Sequence, residues 1–245
     1  MYFRYDGHRK WEEETAGMKI MIIHGQNHRG TTAQIARKTA EKIGGPVTEF
    51  FLPGDFNRFC VGCGRCFMES EQKCPHYGEL RPITRAMEEA DLIILASPVY
   101  VYHASGPMKV FLDHYGYQWM VHRPRPEMFH KQGICISTAA GAGCRSANRD
   151  MADSLRFWGI PVIHRLGLRV RVLKPEHLTA EQWETIERKT DRLARRVARC
   201  KPGRPGIRQR IMFRVMRSLH RRGFTPADDS YWKEQGWLDG GKPWK

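Results

Sequence analysis

The chain has 245 residues, of which 41% are hydrophobic and 27% charged, the balance of a folded globular protein rather than a disordered one. Its longest unbroken apolar stretch, Leu92 to Ala96, is five residues, far below the ~20 that a membrane-spanning helix needs. The net charge of +15 is concentrated: between Arg165 and Arg222, 18 Lys and Arg stand against 5 Asp and Glu. The excess therefore belongs to the C-terminal helices, and the near-neutral remainder argues against nucleic acid as the partner of the core.

In chain order, residues 1–17 mix charges of both signs and show no apolar periodicity. They are expected to be a disordered extension, and no secretory signal is expected there. Seven cysteines in such a chain suggest a reducing, cytoplasmic setting, where thiols serve as ligands or reactants. Met18 to His24 is an isoleucine-rich run, as expected of a strand buried on both faces. Thr31 to Ile43 carries apolar residues at helical spacing and stops at Gly44-Gly45. Val47 to Leu52 reads as a second strand, Pro53 to Gly78 as a Cys- and Gly-rich loop, and about Pro82 to Ala90 as a helix. Asp91 to Ala96 is the third strand, and a helix follows from about Pro107 to Val121. Gly133 to Ser137 and Pro161 to Val172 are the fourth and fifth strands, separated by a helix from Ser146 to Trp158. Thr179 to Cys200 is a long basic helix, and Pro202, Gly203, Pro205 and Gly206 break the chain before the tail. Five alternations of strand and helix predict an α/β fold with a doubly wound parallel sheet over 18–200, and a C-terminal extension over 201–245.

In such sheets ligands bind beyond the carboxyl ends of the strands. Three loops there are informative. Gly25 to Thr32 (GQNHRGTT) leads into a helix with two hydroxyls and Arg29, suited to a phosphate monoester, and it is neither a Walker A nor a G-x-G-x-x-G sequence. Ser97-Pro98-Val99-Tyr100 offers a stiff backbone and an aromatic ring for a flat heterocycle. Ser137 to Gly143 has side chains so small that a ligand could approach its backbone closely.

These residues carry a resemblance. GQNHRGTT resembles the phosphate loop of the flavodoxin-like NAD(P)H-dependent FMN reductases, and ASPVYVYHASGPMKVFLDH, Ala96 to His114, resembles their Ser-Pro-x-Tyr signature with its following Ser, Lys and Phe-x-Asp. Where relatives often carry Arg after that Asp, this chain has His114. The resemblance implies a flavodoxin-like, five-stranded fold binding FMN, with Asn27, Arg29, Gly30, Thr31 and Thr32 on the phosphate. It places Ser97, Pro98, Val99, Tyr100 and Val101 along the isoalloxazine, and Thr138, Ala139, Ala140, Gly141 and Gly143 at its pyrimidine edge. It also implies NAD(P)H as electron donor, with a small-molecule or protein acceptor.

Cys60, Cys63, Cys66 and Cys74 are spaced C-x2-C-x2-C-x7-C, with Pro75 after the last. One tight loop thus offers three thiolates for a [4Fe–4S] cluster, and the loop resembles that of the iron–sulfur flavoproteins of the same superfamily. Zinc prefers two separated knuckles, and free thiols shaping the rim of the site are a third reading. If a cluster is bound, the protein could relay single electrons without turning over a small substrate. In the tail, Ile207, Ile211, Val215 and Leu219 fall four apart among many arginines. This stripe is expected to pack on the domain or on a second copy in a homodimer, the alternative being an anionic membrane surface.

Overall fold

The computed structural model describes residues 17–172, 174–200 and 205–244, so the expected extension over 1–17 falls, apart from Gly17, outside the described residues. Strands β1 (Ile20–His24), β2 (Val47–Phe51), β3 (Leu92–Tyr100), β5 (Gln132–Ala139) and β6 (Val162–Arg169) form a parallel sheet in the order β2-β1-β3-β5-β6. A two-residue strand β4 (His103–Ala104) folds back antiparallel on the end of β3. With β4 set aside, the order is that of flavodoxin, whose ligand sits at the switch point between the first and third strands.

The isoleucine runs explain the layering, because alternate residues of a strand face opposite sides. Ile20, Ile22, Ile94, Ile134 and Ile136 pack under α1 (Thr31–Ile43) and α6 (Ala180–Arg199). Met21, Ile23, Ile93, Leu95 and Cys135 pack under α3 (Tyr77–Glu89), α4 (Gly106–Asp113) and α5 (Cys144–Phe157). Lys42 bridges Asp191 at 2.6 Å and also pairs with Glu187, stapling α1 to α6. Cys135 is fully buried, and its thiol is pushed up to about 12 by that burial.

Several boundaries differ from the sequence reading. β3 runs on through Ser97–Tyr100 instead of stopping at Ala96, because β5 pairs with Ser97 and Pro98 and the β4 hairpin with Val99 and Tyr100. α3 begins at Tyr77 rather than near Pro82, and a short helix α2 (Arg65–Met68) lies inside the Cys-rich loop. α4 ends at Asp113, not Val121. There the His114 imidazole donates back to Val110 O at 2.8 Å, and Gly116 leaves room for the Phe67 ring, which a Cβ would meet at 3.0 Å.

The tail forms α7 (Ile207–Arg221) and α8 (Pro226–Glu234). Trp232 and Trp237 pack with Phe213 against Met120 and Phe129 of the body. Trp232 Nε1 donates to His122 O at 2.7 Å, and Tyr231 Oη donates to Pro124 O at 2.7 Å. The stripe read from the sequence is not the face by which α7 packs on its own domain. The helix is buried through Gln209, Phe213 and His220, and the Ile207, Ile211 and Val215 side is exposed. Aromatic residues bury more area than β-branched ones, so Phe213 decides the orientation.

Candidate functional site

The carboxyl ends of β1, β3 and β5 lie side by side. His24 pairs with Ala96 across β1 and β3, and Ser97 and Pro98 stand opposite Ser137 and Thr138 across β3 and β5. The three loops named from the sequence therefore meet at one edge of the sheet.

The first loop builds an anion cradle. Gly30 is the N-cap of α1 and no side chain caps the helix, which leaves its first amides and its positive dipole end for a ligand. Thr31 Oγ1 is buried without a hydrogen-bond partner. A buried hydroxyl left unpaired costs on the order of 1–3 kcal/mol, so the position suits a bound acceptor such as a phosphate oxygen. Thr32 Oγ1 instead meets Thr138 Oγ1 at 2.6 Å, tying the first loop to the β5 loop. Asn27 and Arg29 stand exposed at the rim, the Arg29 guanidinium 5.6 Å above the Phe51 ring. Asn27 also lies against Gly54, where a Cβ would come within 2.4 Å of its Oδ1.

The second loop divides into a buried and a displayed half. Ser97 is fully buried, and its Oγ accepts from Ser105 N at 2.9 Å, while Ser105 Oγ donates to Gly25 O. Ser97 is thus a tie among the loops rather than an open wall of the site. Ser105, absent from the predicted site residues, is the hub of that tie and also the N-cap of α4. Only its cap role was readable in the sequence, since a Ser followed by Gly-Pro before an apolar run marks a helix start. Beyond Val99 the chain turns at Val101 and Tyr102 with φ of 47° and 68°. Both residues of this hairpin turn are in the left-handed region, which a β-branched residue enters only under strain. α5 holds the turn in place: Ser146 Oγ donates to Tyr102 O, and Asp150 Oδ2 accepts from His103 Nδ1 at 3.0 Å and from Ala104 N at 3.1 Å. Gly143, at φ 96°, lets the third loop close on it, since a Cβ there would meet Val99 at 2.6 Å and Tyr102 Cα at 2.9 Å. Tyr100 and Tyr102 are left exposed beside the β5 loop, where Ala139 is buried and Ala140 and Gly141 are open to solvent.

The cysteine loop reverses direction at Gly62 and Gly64, both with φ near 70°, between Cys60 and Cys66. Cys60 and Cys63 are exposed, and Cys66 and Cys74 half-buried. Burial and the fields of Cys74, Cys60 and Cys63 push the Cys66 thiol up to about 11. The other three thiols thus act on Cys66, which unligated is a protonated, weakly nucleophilic thiol, but among the described residues no three of the four sulfurs lie within 4.8 Å of one another. A bound metal would invert that preference by holding the thiolates. From behind, Arg123 donates to Phe67 O at 3.2 Å and to Cys66 O, and it is paired with Asp228 of α8, which is fully buried. Beside the loop, Cys74, His76 and His114 bring three donor atoms within 4.8 Å of one another. His76 Nδ1 lies 3.0 Å from His114 Nε2, so each imidazole already satisfies the other. Burial holds the His114 pKa below the ordinary histidine value.

Among the described residues no helix is long and apolar enough to cross a membrane. Comparison with known proteins converges on one superfamily. Residues 18–169 match the sequence model of a family described as NADPH-dependent FMN reductase. The chain is 27% identical over 213 residues to an iron-sulfur flavoprotein of Archaeoglobus fulgidus, covering 83% of this chain and 90% of that protein. In structure it resembles an NAD(P)H:quinone oxidoreductase from Methanothermobacter marburgensis, with a TM-score of 0.57 and 14% identity over 76% of this chain and 99% of the other. An FMN-dependent NADH-azoreductase from Bacillus anthracis, solved with FMN, gives a TM-score of 0.51 and 13% identity over 72% and 99% of the two chains.

Proposed function

Because the chain belongs to the family of NADPH-dependent FMN reductases, and is thus a flavin-dependent oxidoreductase, we propose that it oxidises NAD(P)H and passes the electrons to a small-molecule or protein acceptor. The single observation that carries the site assignment is the buried, partnerless Thr31 hydroxyl at the uncapped start of α1. An FMN phosphate would be held by the α1 amides and the hydroxyls of Thr31 and Thr32, with Asn27, Arg29 and Gly30 around it. Ser97 and Ser105 set the spacing between this cradle and the Pro98–Val101 segment, where the ring would lie, and Thr138 to Gly143 would flank its polar edge. Bound flavin supplies chemistry that no side chain here offers, accepting a hydride and releasing electrons singly or in pairs. The protein's part is to fix the ring, shield it and present hydrogen-bond donors. No general acid or base is assigned.

The same reading places a [4Fe–4S] cluster on Cys60, Cys63, Cys66 and Cys74. Supporting it are the C-x2-C-x2-C-x7-C spacing, the left-handed glycines that fold the loop and the anchoring of its backbone by Arg123. A homodimer is part of the proposal, with the exposed Val101–Tyr102 turn as its contact surface. Anaerobic purification followed by flavin, iron and sulfide analysis tests the cofactor set. The expected result is about one FMN with about four irons and four sulfides per chain. Stoichiometric zinc, or four titratable thiols with no metal, would remove the cluster and leave the FMN assignment standing.

A further inference from the structure

The geometry points to the exposed face of α7 as a docking surface for an anionic lipid membrane. α7 is fixed to the body by Gln209, Phe213 and His220, so its opposite side is a permanent surface. At 100° per residue, Ile207, Ile211, Val215 and Ser218 fall within an arc of about 80°. The three aliphatic side chains are 75%, 53% and 55% exposed. Arg208 continues the arc on one side and Arg214, Arg221 and Arg210 on the other, while Arg222, at the helix C-cap, falls within it, all exposed. Among the described residues none of these five arginines is paired with a carboxylate, and Ile207–Arg221 contains no acidic residue. Arg217, at the inner margin, has a buried Nε without a partner, and burial with the neighbouring Arg221 and Arg214 lowers its pKa. The face thus carries five exposed arginines and no carboxylate, with an apolar strip along its middle.

Charge decides the occupant. A second copy meeting this face through its own, as a two-fold interface requires, would set arginine against arginine. A nucleic-acid backbone would match the arginines but give three branched aliphatic side chains nothing to enter. An anionic bilayer answers both features. The aliphatic strip lies at the boundary of the acyl chains and the flanking arginines lie at the headgroup phosphates, the arrangement of an in-plane amphipathic helix.

The test is co-sedimentation of the full chain with vesicles of phosphatidylcholine alone or mixed with phosphatidylglycerol. Binding to the mixed vesicles, its absence with phosphatidylcholine alone, and its weakening by salt are expected. Arg208→Gln with Arg214→Gln should lower the partition coefficient by about 30-fold, at ~1 kcal/mol per arginine near the surface. Ile207→Ser with Ile211→Ser, which keeps every charge, should lower it at least tenfold, with the melting temperature and flavin spectrum unchanged. Absence of binding to the mixed vesicles would overturn the proposal. So would vesicle binding indifferent to the isoleucine pair, which is charge attraction alone. A concentration-dependent dimer that Ile211→Asp dissolves, or tighter nucleic-acid binding untouched by the isoleucine pair, would assign the face to another occupant.

Discussion

At the scale of single residues, Thr31 keeps a buried hydroxyl for which the folded chain supplies no partner. Thr31→Val removes the cost of leaving it unpaired, so the ligand-free protein should melt no lower than the wild type and up to a few degrees higher. The substitution should weaken FMN by about 1.5–3 kcal/mol, the scale of a hydrogen bond to a charged group, and leave riboflavin affinity unaffected. Fluorescence titration with the two flavins checks this, and an equal loss for both would show that Thr31 does not touch a phosphate. Gly143→Ala is expected to act differently. The added Cβ would strike Val99 and Tyr102 at a positive φ, so stability should fall by more than about 1 kcal/mol, with the turn displaced. Chemical denaturation measures it. Thr31 and Thr32 were legible in the sequence because a strand, a glycine and two hydroxyls before a helical pattern form a local signal. The burial of Ser97 and the hub at Ser105 were not, because they depend on contacts between residues 8 and 80 positions apart.

At the scale of elements, the β3–β4 hairpin escaped the sequence reading for a physical reason. Its turn is Val101–Tyr102, with none of the Gly, Asn or Asp that announce positive φ. Its conformation is imposed by α5 through Ser146 and Asp150. α7 was legible as an amphipathic helix but not in its orientation, since apolar residues lie on two sides of it and only the neighbouring body selects one. The contact between α8 and the cysteine loop yields a further expectation. Burial alone would raise the Asp228 pKa, but hydrogen bonds from His122 and Thr225, with the charge of Arg123, lower it below the usual 3.8. A depressed carboxyl contributes stability that is full above its unfolded value and is lost as pH falls through the folded one. Tail docking should therefore hold at neutral pH and weaken below about pH 3.8. Asp228→Asn leaves the buried Arg123 unpaired, at a cost of about 3–5 kcal/mol. It should also speed labelling of the Cys66 thiol in the metal-free protein. Melting curves against pH and timed thiol modification read both effects, and wild-type behaviour in each would show that the clamp is idle.

At the scale of the whole molecule, the parallel sheet and the convergence of three loops at its carboxyl edge were readable from hydrophobic periodicity and alternation alone. Each of β1, β3 and β5 has an apolar stretch at its centre, and each loop follows on one of these strands. How the tail covers the body was not readable, because its docking rests on Phe213, Trp232 and Trp237 meeting Met120 and Phe129, a cluster assembled from distant segments. Deleting residues 205–244 uncovers Met120 and Phe129, both fully buried. At ~1.5–3 kcal/mol for each large side chain, the shortened chain should melt several degrees lower and aggregate. Sedimentation with calorimetry would detect this, and an unchanged melting temperature would make the tail an independent appendage. The central claim, that this chain takes electrons from a nicotinamide into bound FMN, has a direct measurement. FMN-loaded protein is mixed anaerobically with NADPH, and separately with NADH, while the flavin absorption band is followed. The account predicts that at least one donor bleaches the band at a rate that saturates with donor concentration. If neither bleaches it while a one-electron reductant does, the nicotinamide role is contradicted and the protein is an electron relay.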